Sequence, residues 1–348
     1  MEKMPCYWKT GISDVETAVK NLKKADEIKT RFSAGGRPIQ MIFFGKKNNL
    51  NRTANLSSAL GARDKSCYAD KSGEDYRPTI LLVGCIHGGE FEGTAALLNL
   101  LSIIETGVDL NGEKHEFLHT ASERVNLIVI PMINPDGRAR VKFDSMVGKT
   151  YEELRYYNQG TWKDGSLCEW PECKKVHPIK EHCKFLGGYF NDDGVNLMHD
   201  DFFGVKATET QFLFDIVDEY CPDFTILLHG GLNTPSAILK PEYAPESVKR
   251  DILKLEEILK ERCEAQNLGY AVTGMNREEN ANVPSSFNLI SALYHFSGEP
   301  CVTFESNQGI SGIQRKAFTH EEIYTSHIIL FEETIKHIEE RKEGENEK

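Results

Sequence analysis

No apolar run in the 348-residue chain approaches the ~20 residues that span a bilayer, and the opening MEKMPCYWKTG lacks the apolar core of a secretory signal. The expectation is a soluble, cytosolic protein with no membrane partner. Basic residues are in deficit, 41 Lys and Arg against 53 Asp and Glu, for a net charge of −12. That balance argues against nucleic acid and anionic surfaces as partners. The nine cysteines are an odd number, and Cys85 and Cys301 sit inside apolar runs, which suits reduced, buried thiols better than a disulfide framework. Internal repeats and long Pro/Gly/Ser linkers are also missing. One catalytic domain over residues 1–348 is therefore expected, with about 30 N-terminal and about 8 C-terminal residues peripheral to it. A chain of this size needs no staple to hold a core.

What is present is an alternation of strands and helices. Residues 14 to 31 carry apolar positions at helical spacing, and RPIQMIFF (37–44) reads as a strand. PTILLVGCI (78–86), RVNLIVIPMI (124–133), DFTILLHGG (223–231) and PCVTFESN (300–307) are apolar runs of the kind buried on both faces of a sheet. Helical patterns occupy 92–105, 208–220, 245–266 and 319–341. Such alternation predicts an α/β fold with a mixed, mostly parallel sheet covered on both faces. Ligands of these sheets bind outside the carboxyl ends of the strands.

Three of those ends carry reactive residues. The run 80–86 stops at His87-Gly-Gly-Glu90, the run 223–228 at His229, and the run 300–304 at Glu305. A catalytic zinc takes three protein ligands of the His/Glu type and keeps one position open. His87 and Glu90 can supply two from one glycine-rich turn and His229 the third, with Glu305 as a base for an acidified water. Taken singly, H-x-x-E is common by chance, and a His or Glu closing a strand is often only a polar cap. Their convergence at the ends of one sheet is what favours a two-His-one-Glu zinc hydrolase.

The motif order then resembles one family. His87-Gly88-Gly89-Glu90 is followed by Asn134-Pro135-Asp136-Gly137, by Gly194-Val195-Asn196-Leu197-Met198-His199-Asp200-Asp201-Phe202, by Leu228-His229 and by Phe304-Glu305. This series is similar to that of the zinc carboxypeptidases of the carboxypeptidase A/B type, the funnelins, over roughly residues 30 to 340. The resemblance implies an α/β/α sandwich around an eight-stranded twisted sheet. It also implies one Zn2+ per chain on His87, Glu90 and His229, and Glu305 as general base. The substrate it implies is a small peptide or an acylated amino acid.

The departures concern substrate recognition. Met198 and His199 stand where the family places an Asn-Arg pair that grips the substrate carboxylate, and Asp200 and Asp201 follow. Met makes no useful hydrogen bond and His is a weaker, pH-dependent partner than Arg. Asp192 and Asp193 lie just upstream and are expected to face water. This corner is therefore expected to prefer an amine or guanidinium near the scissile bond, or a carboxylate held by another cation such as Arg138, Arg140 or Lys163. The family's oxyanion-stabilising Arg has several candidate replacements: Lys163, from the resemblance of Trp162-Lys163 to a W-R pair, Tyr189, from alignment on Asn191-Asp192-Asp193-Gly194, and Arg138 and Arg140, directly after Asn134-Pro135-Asp136-Gly137. The family's mobile tyrosine has no counterpart in Asn282-Val283-Pro284-Ser285-Ser286-Phe287. An insert, 168–183, holds Cys168, Cys173, His177, His182 and Cys183 at spacings unlike structural zinc pairs, and reads as a pocket-rim loop with incidental thiols. An N-acyl amino-acid deacylase and a non-catalytic binding module on the same scaffold are the competing readings.

Overall fold

The computed structural model describes residues 4–232, 236–274, 286–312 and 316–346, with side chains to residue 342. Its strands are β1 (Glu27–Phe32), β2 (Pro38–Phe44), β3 (Thr79–Gly84), β4 (Asn126–Ile130), β5 (Gly160–Trp162), β6 (Cys183–Leu186), β7 (Phe224–Gly231), β8 (Ser236–Leu239), β9 (Tyr270–Ala271) and β10 (Cys301–Asn307). Eight form one sheet in the order β1-β2-β4-β3-β7-β10-β8-β9, and β5 pairs with β6 separately. Four neighbouring pairs, β3 with β4, β3 with β7, β7 with β10 and β8 with β9, are parallel. The other three are antiparallel. The sheet is thus mixed and mostly parallel, as the sequence pattern predicts.

Side-chain alternation along the central strands builds a core on each face. Ile80, Leu82, Leu127, Val129, Ile226, Leu228, Val302 and Phe304 pack with the helices Glu92–Thr106, Glu246–Ala265 and His320–Asn346. Leu81, Val83, Ile128, Ile130, Leu227 and Cys301 face the other way, onto Thr208–Tyr220 and Leu289–Ser297. The result is an α/β/α sandwich. Among the described residues, no helix is long and apolar enough to cross a membrane.

One element departs from its sequence pattern. The helix expected over 14–31 is a helix only from Ile12 to Asn21, and Glu27–Phe32 is strand β1. Leu22 turns the chain extended, with ψ 138°. The next two N–H groups, of Lys23 and Lys24, then donate to the Glu105 carboxylate at 3.1 and 3.0 Å and pin the exit. β1 pairs with β2 from Glu27↔Phe43 to Phe32↔Pro38. It is an edge strand with Ile28 and Phe32 exposed, so its sequence carries little of the apolar alternation that marks a strand.

For the site, the central order matters most. β3, β7 and β10 are adjacent and parallel, so their carboxyl ends lie together on one edge of the sheet.

Candidate functional site

β3 ends at Gly84, and Cys85 takes a left-handed conformation at φ 55°, which a non-glycine residue adopts only when its surroundings hold it there. The kink turns the chain out of the sheet so that His87 and Glu90 face back across its edge. Gly88 and Gly89 are required by close approach. A Cβ on Gly88 would sit closer than 3.0 Å to the backbone of Gly137 and Arg138, and one on Gly89 would overlap the Asn158 amide. The segment Asn134 to Gly137 buttresses this turn. Asn134 donates its backbone N–H to Cys85 O (3.1 Å) and its side-chain amide to Ile86 O (3.1 Å), while its Oδ1 caps Gly137 N–H (2.8 Å). Asp136 is fully buried and accepts from Ser33 Oγ, Gly35 N–H, Arg37 and Asp192 N–H.

His87, Glu90 and His229 meet at the strand ends, all buried. Their candidate ligand atoms lie within 4.8 Å of one another. His87 Nδ1 is 2.7 Å from Glu90 Oε1, and His229 Nδ1 is 2.9 Å from Glu90 Oε2. Asn196 Oδ1 accepts the Met198 N–H at 3.0 Å and so must be the oxygen; it lies 3.2 Å from His87 Nε2. That contact puts a proton on Nε2, so the Nδ1 side facing the carboxylate oxygen takes either a second proton or, in its place, a metal cation. Glu90 Oε2 and His229 Nε2 have no hydrogen-bond partner among the described residues. Burial alone would raise the Glu90 pKa, but the two imidazoles outweigh it and hold the carboxyl well below its usual range. Burial likewise works to lower His229, and Glu90 and then Glu305 override it upward. Two nitrogens, one carboxylate and unfilled polar valence in a buried pocket fit a divalent zinc-type cation.

Glu305 follows Phe304 on β10 and is in register with His229 on β7. Tyr189 covers the other side, its ring 4.0 Å from the His87 ring, and burial raises its phenol well above the usual range. Sequence reasoning assigns no role to Asn196, Glu92 or Gln308. Glu92 is wholly buried beneath the turn, and burial pushes its pKa up to about 8, against the hydrogen bond from Gln308. Gln308 also donates to Gly89 O (3.1 Å) and so ties β10 to the turn. The one sequence sign of Glu92 was its place two residues after Glu90.

The other nominated residues are placed elsewhere. Arg138 is buried and donates to Thr10 O, Val141 O and the Asp144 carboxylate. Arg140 bonds Asp192 and Phe190 O. Asp192, expected to face water, is therefore ion-paired, with Arg37 as well as Arg140. Lys163 is exposed after β5. Among the described residues, none of these three cations bonds His87, Glu90 or His229. Asp200 and Asp201 spend their carboxylates on their own turn, accepting from the N–H groups of Ala207, Asp201, Phe203 and Gly204. His199 lies close to the metal-ligand candidates: burial, then Lys174, His87, His177 and His229, push its pKa down to about 3. Positions 282–285 lie outside the described residues; Phe287 stacks near Phe203, at 5.5 Å between rings.

A search of curated proteins gave no match. Solved structures do match in fold. A metallo-carboxypeptidase from Burkholderia cenocepacia aligns with a TM-score of 0.58 at 13% identity, over 94% of this chain and 68% of that one. A metallo-carboxypeptidase from Pseudomonas aeruginosa, in complex with (2-guanidinoethylmercapto)succinic acid, aligns with a TM-score of 0.55 at 12% identity, over 93% and 66%. Carboxypeptidase A from Helicoverpa armigera aligns with a TM-score of 0.55 at 13% identity, over 96% and 74%. The chain thus spans about two thirds of the length of the two bacterial structures. A family model of zinc carboxypeptidases matches residues 15–231, well over half the chain. With that match and a buried His-Glu-His group able to hold a metal, the chain belongs to the zinc carboxypeptidase family and is a metallopeptidase-like hydrolase.

Proposed function

We propose that the protein is a zinc metallocarboxypeptidase that hydrolyses a peptide or amide bond, with Glu305 as general base. The observation that carries this reading is the convergence of His87, Glu90 and His229 at one sheet edge with Glu305 in register beside His229. The three would hold one zinc ion per chain. Bound there, zinc supplies electrophilic polarisation of a carbonyl and acidifies water.

The chain's own groups do the rest. Glu305 takes a proton from the attacking water and passes it to the leaving nitrogen, so one carboxylate serves as base and then as acid. Asn196 holds the His87 ring through Nε2, which keeps Nδ1 turned toward Glu90. Tyr189, packed on His87, is the neutral donor best placed to meet charge growing on the carbonyl oxygen. Lys163, the cationic alternative, is exposed and remote by its contacts. His199 and Asn196 line one small cavity beside this group.

The test is Glu305→Gln in zinc-loaded protein, assayed on a panel of peptides with free C-termini. Turnover should fall by at least ~10²-fold, the usual scale for a lost general base, with zinc and fold retained. Wild-type turnover in that variant would assign the proton transfer to another group.

A further inference from the structure

His87 and His229 both turn Nδ1 toward Glu90, so the outward nitrogen of each ring, Nε2, is left to the surrounding residues. Those residues bring no charge to it. His87 Nε2 lies 3.2 Å from Asn196 Oδ1, and His229 Nε2 is buried with no hydrogen-bond partner among the described residues. The outer partner of a metal-binding imidazole acts through charge as well as position. A carboxylate draws the ring N–H toward itself and makes the inner nitrogen a stronger donor to the metal. A neutral amide oxygen fixes the ring and gives much less of that push, since hydrogen bonds to an ionised acceptor are about twice as strong. Among the described residues, Glu90 is the one carboxylate bonded to either ring.

Asn196 is held so firmly that its charge, more than its placement, is the variable. It is 4% exposed and caps the turn Leu197–His199, its Oδ1 accepting the Met198 N–H at 3.0 Å. Its backbone N–H donates to His177 Nε2 at 3.0 Å. The residue before it is fixed by Asn191 Oδ1, which accepts the Val195 N–H at 2.9 Å. Aspartate matches asparagine in shape and caps a helical turn as well. Asn196→Asp would therefore keep both contacts of Oδ1 and add a negative charge. That charge would not meet another anion at the nearby cavity of about 120 Å³, whose remaining lining is Cys173, Lys174, His177, Phe190 and His199.

We infer that Asn196 sets the hold of this site on its metal below what the same three ligands would reach with a charged outer partner, so that occupancy follows the free zinc concentration. Asn196 acts through His87 and is a positioning residue, and its neutrality gives the position a regulatory sense. Two neutral imidazoles and one carboxylate leave excess positive charge on a bound divalent ion, and no outer carboxylate bonded to those imidazoles offsets it. A metal held this way is exchangeable, and the activity is open to control by zinc supply.

The inference rests on the metal assignment behind the hydrolase reading, and the experiment keeps the two apart. Zinc dissociation constants are measured by competition with a chelator for wild type, Asn196→Asp and Asn196→Ala, and the rate of zinc loss to excess chelator is followed. Circular dichroism and thermal melts of the metal-free forms control for folding, and turnover of a peptide panel is followed in parallel. Asn196→Asp should bind zinc at least about tenfold more tightly than wild type and release it correspondingly more slowly. Asn196→Ala should bind it about tenfold more weakly, the scale of an outer partner's effect on metal affinity. A purely structural role predicts otherwise, because two equivalent capping residues would then hold zinc alike. Affinity in Asn196→Asp within about twofold of wild type, or weaker, overturns the inference whether or not peptides are cleaved. Unchanged affinity in Asn196→Ala overturns it as well. Tighter zinc in Asn196→Asp, with no peptide cleaved by either protein, upholds the inference and sinks the hydrolase reading. Zinc uptake by none of the three proteins removes the metal assignment and this inference with it.

Discussion

Gly88→Ala is the sharpest single perturbation the structure offers. The added methyl would come closer than 3.0 Å to Gly137 and Arg138, and the atoms it meets are backbone. A flexible side chain could swing away; these atoms cannot do so cheaply. Gly137 is held by the Asn134 cap, and Arg138 is anchored by three side-chain bonds to Thr10, Val141 and Asp144. The gap must reopen to the 3.4 Å of ordinary contact, so the His87 turn or the 134–138 segment has to move. Overpacking costs about 1–3 kcal/mol where neighbours relax, and this site sits at the top of that range. With ~2.1 cal/mol/K of unfolding entropy per residue over 348 residues, 1 kcal/mol is worth ~1.4 °C, so metal-free protein should melt about 4 °C lower. The second consequence is larger for function. Ligand distances tolerate only about ±0.2 Å, so a displaced His87 should lower zinc affinity by tenfold or more. Thermal melts of the metal-free form and zinc titration with a competing chelator read the two effects separately. Gly73→Ala is the control, because a Cβ there meets nothing within 4 Å. An unchanged melting point together with unchanged zinc affinity in Gly88→Ala would refute the reasoning.

Other outcomes follow from the same geometry. His87→Ala and His229→Ala should each lose most bound zinc, and elemental analysis showing about one zinc per chain in both would remove them as ligands. Tyr189→Phe should lower kcat by about 10²-fold with little change in KM, while Lys163→Ala should stay within about twofold of wild type; the reverse pattern would transfer the oxyanion role to Lys163. Asp136 should govern part of the acid limb of stability. Burial tends to raise its pKa, but bonds from Ser33, Arg37, Gly35 and Asp192 N–H win and hold it below 3.8. A carboxyl depressed in the folded state adds stability that is complete above its unfolded value and lost as pH falls through the folded one. The deficit of Asp136→Asn, on the order of 3 kcal/mol at pH 7, should therefore shrink below about pH 4. A deficit constant from pH 7 to 2 in denaturant titrations would show that the charge is not what matters there.

The central strands and the grouping of His87, Glu90 and His229 were legible because both leave short-range marks. TILLVG, NLIVI and FTILL are buried on both faces and read as continuous branched runs, and the reactive residues stand directly after them. β1 was not legible, since an edge strand is defined by its partner β2 more than by its own half-exposed side chains. The polar residues around the site divide the same way. Nothing in the order Arg138-Ala139-Arg140 shows that both cations turn away into Thr10, Asp144 and Asp192. Nor does Asp200-Asp201 reveal that its carboxylates cap their own turn.

The placement of the metal group on β3 and β7, with Glu305 on β10, also makes it a gauge of folding. Glu90 and His229 are separated by more than a third of the chain and meet only when β3 and β7 have docked in register, and Glu305 joins them only when β10 has docked on β7. Long-range parallel pairing is slow to form because loop-closure entropy is spent before contacts return it. The unfolded chain has no such pocket, so zinc binds the native state alone and draws the folding equilibrium toward it. Free zinc at a thousandfold above its dissociation constant adds about 4 kcal/mol to stability. Half-lives against proteolysis should then track the zinc supply, and a cell short of the ion would lose the protein itself as well as its activity.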